Sequence, residues 1–427
     1  MWLLRTLPIT LLYLALSQTA NCQSFKCDLD NSLSINNFQY LDRTKDINSI
    51  AELRSDHELN LKYKTNLAVK LAARGLYNYT NRQRSKLFLN EAYIAWNKGR
   101  LNTKLGKQVI KYGKLTGISN LDLANRYDYF DFLITDEEEL GQWGLTSKFD
   151  TKHIQFDFNY IYNVEPSLIY FTDNPWTRLP SELAHSGVEG GMLPVKFRDV
   201  VNVDQDVRRS AYDLGVNIEL FGFTTRFDLY KGSNDIAFRK LNLDTNTQSY
   251  PITYDLELSQ EALSIYNLNV QKLLGDWNIW LEFGLIKNKF SNAGGSVVSD
   301  DYSLLSIGVD RLVLFEDPAK LLKLVGQWRY AIWNNKFDYS ATDLDHVLDR
   351  CFIADMDYQH SYRLSFGLRS VLSYDSFGLY LSPSLNYKLS DRFLLAVDYE
   401  LLRGNDSSFF GHYSNNDRFI FKIKLEL

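Results

Sequence analysis

The chain has 427 residues, of which 45% are hydrophobic, 14% aromatic and 23% charged, and its formal net charge is −5. A balance this mildly acidic gives no basic footprint for nucleic acid. The length alone would allow two or three soluble domains, but no Pro/Ser/Gly-rich linker, low-complexity block or shift in composition divides the chain.

Arg5 stands before an apolar run from Leu7 to Leu16, and Ser17-Gln18-Thr19-Ala20-Asn21-Cys22 follows it. A basic start, a short apolar core and a small-residue exit make a secretory signal peptide; the run is too short to span a bilayer. Ala20 and Cys22 suit the two small-residue positions of a cleavage site. Residues 1–22 are therefore expected to be removed, leaving 23–427 as the mature chain. The competing reading makes Cys22 a lipidated cysteine, and Asn21 before it argues against that. Processing leaves Cys27 and Cys351, compatible with one disulfide or with two unrelated thiols.

No later segment is uniformly apolar for the roughly 18–20 residues a membrane helix needs. Period-two alternation takes its place, and successive strand side chains point to opposite faces. Weaker alternating segments lie at 49–63, 65–78, 86–97, 100–111 and 138–149. The first clear one sets Ile154, Phe156, Phe158 and Tyr160 against Gln155, Asp157 and Asn159. Next, Tyr212, Leu214, Val216 and Ile218 oppose Asp213, Gly215, Asn217 and Glu219. After a tight turn, Phe223, Thr225, Phe227 and Leu229 oppose Thr224, Arg226 and Asp228. Trp277, Ile279, Leu281, Phe283 and Leu285 oppose Asn278, Trp280, Glu282 and Gly284. Weaker segments at 262–273, 302–315, 321–334 and 361–373 surround these. Leu379 to Tyr387 and Phe393 to Leu401 alternate again. The end of the chain sets Phe419, Phe421, Ile423 and Leu425 against Arg418, Lys422, Lys424 and Glu426.

Apolar faces of about 9–11 residues match a tilted crossing of the hydrocarbon layer. The predicted fold is all-β: a transmembrane antiparallel up-and-down barrel of 16–18 strands, lipid outside and water inside. A soluble sandwich, β-helix or propeller is the competing class, and the sidedness repeated in nearly every strand speaks against it. Connections are tight at Lys98-Gly99, Asp150-Thr151, Phe221-Gly222 and Gly275-Asp276, and long at 113–137, 163–206 and 232–261. Bacterial barrels place short turns in the periplasm and long loops outside. Sixteen strands leave the two halves of the chain out of phase under that rule. Extra strands near 33–42 and 347–358 restore it, so 18 is preferred.

The polar faces nominate a pore wall: Lys104, Gln108, Asp157, Asp213, Glu219, Arg226, Asp228, Glu282, Asp310, Arg369, Asp398, Glu400, Arg418, Lys422 and Lys424. Lys104, Gly106 and Gln108 share one face, and Gly106 removes a side chain where something approaches closely. Lys107 then points outward and must snorkel to an interface unless the strand bulges. The loop 113–137 carries Asp122, Arg126, Asp128 and Asp131 among tyrosines and phenylalanines, and either folds inward as a constriction or stays outside in solvent.

The run 89–114 (LNEAYIAWNKGRLNTKLGKQVIKYGK), 118–133 (ISNLDLANRYDYFDFL), 136–145 (DEEELGQWGL) and 174–183 (NPWTRLPSEL) resembles an uncharacterised family of porin-like outer-membrane barrels of Gram-negative bacteria. The pattern is a hairpin, a Gly-Lys/Arg-Gln strand, an aromatic-Gly-Lys, an Asn/Asp-rich loop, an acidic stretch and an Arg-Leu-Pro loop. Tyr112 stands where a tryptophan is usual, and Asn125-Arg126 replaces Asn-Pro. The resemblance covers about a quarter of the chain; it implies a channel or transporter and names no substrate.

Signals for catalysis are missing. The six histidines, His57, His153, His185, His346, His360 and His412, form no H-E-x-x-H pair, and no G-x-S-x-G occurs. Asp345-His346 with Asp349 reads as a solvated loop. The stretch before the first strong strand is too short for a plug domain. No cofactor or metal site is expected. The sequence reading is a channel for passive diffusion of small polar or charged solutes through a lumen narrowed by an inward loop, 113–137 or 163–206, with outer-membrane lipid and, through the last strand, barrel-assembly machinery as partners. The alternatives are an export barrel for a polysaccharide or other polymer, and a surface barrel whose loops bind or process a ligand.

Overall fold

The computed structural model describes residues 25–41, 49–80, 84–112, 115, 117–129, 139–165, 167–169, 195–198, 210–233, 238–243, 252–259, 262–291, 297–333, 348–375, 377–405 and 408–427. Eighteen antiparallel strands follow one another in chain order and close into a barrel. The first nine are β1 (Phe25–Tyr40), β2 (Ser49–Tyr63), β3 (Leu67–Asn78), β4 (Lys86–Lys98), β5 (Leu101–Gln108), β6 (Gln142–Asp150), β7 (Ile154–Ile161), β8 (Ala211–Leu220) and β9 (Phe223–Ser233). The rest are β10 (Ala262–Leu274), β11 (Trp277–Ser291), β12 (Val297–Leu314), β13 (Leu321–Trp333), β14 (Arg350–Gln359), β15 (Leu364–Ser373), β16 (Gly378–Ser390), β17 (Phe393–Arg403) and β18 (Arg418–Glu426). Closure comes from β1 lying beside β18, with Tyr40 opposite Arg418 and Ser32 opposite Glu426. Two strands that the weaker segments left out, β1 and β14, are the ones that bring the count to 18. The 16-strand alternative is overturned, and the stretch read as preceding the first strand is itself β1.

The wall is built inside out relative to a soluble sheet. Along β8, Leu214 is 45% exposed while its neighbour Asp213 is 1% exposed; along β11, Leu281 is 40% exposed and Glu282 fully buried. The same alternation holds for Phe227 beside Arg226 and Asp228, and for Phe352 beside Cys351 and Ile353. Apolar side chains on the convex face gain only if the surroundings are hydrocarbon, whereas closure leaves no sheet edge unpaired there. Tyrosines 160, 162, 212 and 266 and Trp143 crowd the loop end, while Phe149, Phe221, Phe223, Trp277 and Phe315 ring the other. These are the aromatic girdles of a bilayer-spanning barrel.

The connections of two or three residues all share one end with Phe25 and Glu426. Lys64, Gly99, Phe221, Gly222 and Gly275 take positive φ there, the backbone that short hairpin turns demand. Long connections gather at the opposite end. Residues 195–198, 238–243 and 252–259 of two of them pair as a separate three-stranded sheet. Cys27 and Cys351 are both free thiols, so the disulfide reading is overturned. Cys351 is buried on the inner face and donates to the Leu348 carbonyl at 3.3 Å.

Candidate functional site

Every described strand residue nominated for the pore wall lies on the inner face. In the arc from β7 to β9, Arg226 pairs with Asp157 and, at 2.6 Å, with Asp228. Asn159 donates to Asp213 at 2.8 Å. Gly215 makes this packing feasible, because a Cβ there would lie 2.8 Å from Asp228 Oδ1 and 2.9 Å from Arg226 Cζ. Asn278 donates to Asp310 at 2.8 Å, and Arg369 grips Asp355 at 2.9 and 3.3 Å. Glu400 accepts from Tyr380 at 3.1 Å and pairs with Arg418, whose Nη1 reaches Tyr40 at 3.1 Å. Lys424 meets Glu426 at 3.1 Å; Lys422 and Asp398 sit on the same face, opposite Ala396 and Ser384. Glu219 is exposed at the turn end, Lys104 stands 5.0 Å over the Tyr93 ring, and Gln108 is buried, accepting from Thr146 at 3.1 Å.

Sequence reasoning missed a second charged arc on β2 to β4. Arg54 and Arg74 both donate to Asp56, at 2.7 and 2.8 Å, and Lys70 bridges Glu58 at 3.1 Å and Glu91 at 2.7 Å. Its signal was available: Glu52, Arg54, Asp56 and Glu58 recur at every second position. A cavity of about 620 Å³ lies against this arc, lined in part by Asp56, Glu58, Arg74, Glu91 and Lys424.

The connection between β5 and β6 enters the barrel and crosses it. A 3-10 turn at Asn120–Ala124 carries a capping box: Ser119 Oγ accepts from the Leu121 N–H, and Asp122 accepts from the Ser119 N–H at 2.8 Å. On the far wall Glu282 receives Ser119 Oγ at 2.7 Å and the Asn120 N–H at 2.8 Å. Asn267 supports the same carboxylate at 2.9 Å. Gln327 clasps Ile118 twice, accepting its N–H at 2.9 Å and donating to its carbonyl at 2.7 Å, and Arg329 donates to that carbonyl at 2.7 Å. The chain then turns back. Arg126 pairs with Glu165 at 2.8 Å, and Asp128 accepts from Arg84 at 2.9 Å, Arg84 also being paired with Glu52. Tyr127 donates its N–H to Ser167 at 2.9 Å. Asp122, Arg126 and Asp128 are thus brought into one inward strap; Asp131 and most of 163–206 lie outside the described residues. Desolvation in the packed lumen pushes the Asp122 carboxyl up to about 7, the Ser119 N–H opposing and the Glu282 carboxylate adding to the effect.

The strap has an apolar seat. Toward the loop end the inner face turns greasy: Ile161, Ala211, Tyr230, Ile265, Ile286 and Leu304 pack with Ile110, Tyr112, Leu121 and Ala124 of the strap. A second insert, 404–417, fills the neighbouring arc. There Phe409 and Phe410 of a short helix (Phe409–His412) and its C-cap residue Tyr413 pack on Ile353, Val371, Tyr380 and Leu402. Ser408 caps that helix by accepting from Gly411 N at 2.9 Å, and Asp417 accepts the Leu402 N–H at 2.8 Å. Lys107 faces outward opposite Trp143 near the loop end of β5, as snorkelling requires. Gly106, at φ +135°, leaves room for the Ala92 carbonyl, into which a Cβ would run.

With this geometry in hand, comparison with known proteins bears on the fold. The chain is similar to the structure of a BenF-like porin from Pseudomonas fluorescens, at 10% identity and a TM-score of 0.52, covering 95% of this chain and 98% of that one. OccK11 of Pseudomonas aeruginosa aligns over 94% of this chain and 96% of its own at 10% identity and a TM-score of 0.49. OmpT of Vibrio cholerae aligns over 95% and 99% at 10% identity and a TM-score of 0.45. The fold is that of an outer-membrane porin barrel. No protein-family model matches the chain, and no curated protein is similar to it in sequence.

Proposed function

We propose that the protein is an outer-membrane channel passing small polar or charged solutes by diffusion through a lumen narrowed by its own inward loops. The observation that carries this reading is the docking of Ser119 and Asn120 on Glu282, which holds the strap 118–128 across a barrel whose inner wall outside its two apolar seats is charged. Charges of both signs on that wall suit hydrated solutes, because an inner face that met no water would have no use for them. The amino-terminal signal 1–22 and an aromatic last strand support export to the outer membrane and insertion by assembly machinery. The motif run 89–183 supports kinship with the uncharacterised porin-like family.

Planar-bilayer recording of the refolded mature protein tests the reading. Discrete, ohmic single-channel steps are expected; a folded, heat-modifiable protein that inserts without conducting would instead mark a barrel whose loops do the work.

A further inference from the structure

The outer face at the loop end carries a row of hydrogen-bond donors for which the described residues supply no partner. Register places Tyr160, Tyr212, Lys231, Ser264 and Lys287 side by side on five successive strands, β7 to β11. All five point away from the lumen, since their strand neighbours Ile161, Asp213, Tyr230, Ile265 and Ile286 are buried inside. One strand separates the two lysines, so their backbones stand about 10 Å apart. Lys231 and Lys287 are exposed and have no ion pair with any described residue. Two other outward bases at this end are neutralised: Arg350 pairs with Asp375 and stacks on Tyr330, and Arg403 meets Asp417 at 2.5 Å.

Height fixes what lies opposite. Lys231 is eight residues above the turn end of β9 at Phe223, and Lys287 is ten above the turn end of β11 at Trp277. At about 3.4 Å per residue and a tilt near 45°, both stand roughly 19–24 Å above the turns, the far edge of an apolar band about 25 Å tall. Beneath them on the same strands are Leu229, Tyr266 and Leu285. The ammonium groups thus sit where lipid phosphates begin, with the Ser264 hydroxyl between them, the Tyr212 hydroxyl beside Lys231 and the Asp301 carboxylate beside Lys287 on the next strand.

We infer that the row Tyr160–Tyr212–Lys231–Ser264–Lys287 is a binding site for the phosphate headgroups of anionic lipid in the leaflet around the loop end. The inference rests on the bilayer location proposed above. Two lysines whose backbones stand about 10 Å apart can bring their ammonium groups to a headgroup bearing two phosphates, and the intervening hydroxyls donate to the remaining oxygens. Basic side chains next to an anionic surface each strengthen binding, and the attraction fades within a Debye length.

Native mass spectrometry of the full mature protein tests this directly, in detergent with an equimolar mixture of a bis-phosphorylated glucosamine lipid and phosphatidylcholine. Wild type is expected to retain the phosphorylated lipid about tenfold in preference. The double variant Lys231→Gln, Lys287→Gln is expected to lose that preference, while Lys272→Gln, an outward lysine at the turn end stacked on Phe223, keeps it. Equal retention of the two lipids by wild type, or an undiminished preference in the double variant, overturns the site. Loss of the preference on adding millimolar inorganic phosphate also overturns it, by assigning the row to free anions. A protein that inserts and conducts while showing no lipid preference refutes this inference alone, whereas one that enters no bilayer refutes the membrane reading beneath it.

Discussion

Ser119 and Glu282 lie 163 positions apart, and their side chains meet in the barrel lumen at 2.7 Å. The bond ties the tip of one inward strap to the opposite wall, and the neighbouring Asn120 N–H and Asn267 amide converge on the same carboxylate. A carboxylate buried among three donors is a strong anchor, because charge-assisted hydrogen bonds are roughly twice as strong as neutral ones.

Replacing that carboxylate should therefore release the strap. Glu282→Ala orphans three buried donors, each at a cost of about 1–3 kcal/mol. The barrel itself, held by its strand ladders, should still fold. Single-channel recordings should show larger and noisier openings, and limited proteolysis should cut within 113–137. Glu282→Gln, which keeps an acceptor, should fall between wild type and the alanine variant.

Docking of the strap should also respond to pH through Asp122. Burial pushes its carboxyl up to about 7 when docked, from an ordinary value of 3.8. The docked form therefore holds the proton more tightly, so docking weakens as pH rises from about 4 to about 7 and changes little above that. Hydrogen-exchange protection over 117–124, taken relative to the intrinsic rate at each pH, should be greater at pH 5 than at pH 8, and Asp122→Asn should flatten the difference. A profile that ran the other way would mean that the capping bond to the Ser119 N–H outweighs desolvation.

The two faces of one strand make a paired test. On β16, Leu385 is 40% exposed on the outside, and Ser384 faces inward opposite Asp398. Leu385→Arg should destabilise the protein in lipid by about 2–4 kcal/mol, the cost of an arginine on the hydrocarbon face. Ser384→Arg should change stability by no more than about 0.5 kcal/mol. Urea unfolding in lipid vesicles measures both.

Gly106 is expected to tolerate nothing larger. Its φ of +135° and the Ala92 carbonyl at the would-be Cβ position combine strain with a backbone clash. Gly106→Ala should cost at least about 1–3 kcal/mol from conformation alone and lower the refolding yield, read as loss of heat-modifiable mobility in gels.

The barrel was legible because lipid-facing and water-facing demands alternate along each strand, so Leu214 beside Asp213 or Leu281 beside Glu282 announces the geometry locally. The charged arc on β2 and β3 was equally legible but passed over, since Ser55 and His57 interrupt the apolar face opposite Arg54 and Asp56. The seat of the strap was harder to see. Ile161, Ile286 and Leu304 lie on faces that are otherwise polar and look like lapses in the pattern until inserts 109–129 and 404–417 are placed against them. Nor could spacing predict that Gln327 and Arg329 would hold Ile118, because that contact depends on closure of the whole barrel.

The sharpest test of the account uses single cysteines placed in turn at positions 379 to 389 of β16, with Cys27 and Cys351 replaced, in protein reconstituted into vesicles. A bimane label should be quenched by spin-labelled lipid at 379, 381, 385 and 387, and the inner-face positions 382, 384, 386 and 388 should react fastest with a water-soluble maleimide, position 380 being covered by Phe410. Equal reactivity along the strand, with no lipid quenching at any position, would contradict a barrel that faces hydrocarbon outside and water within.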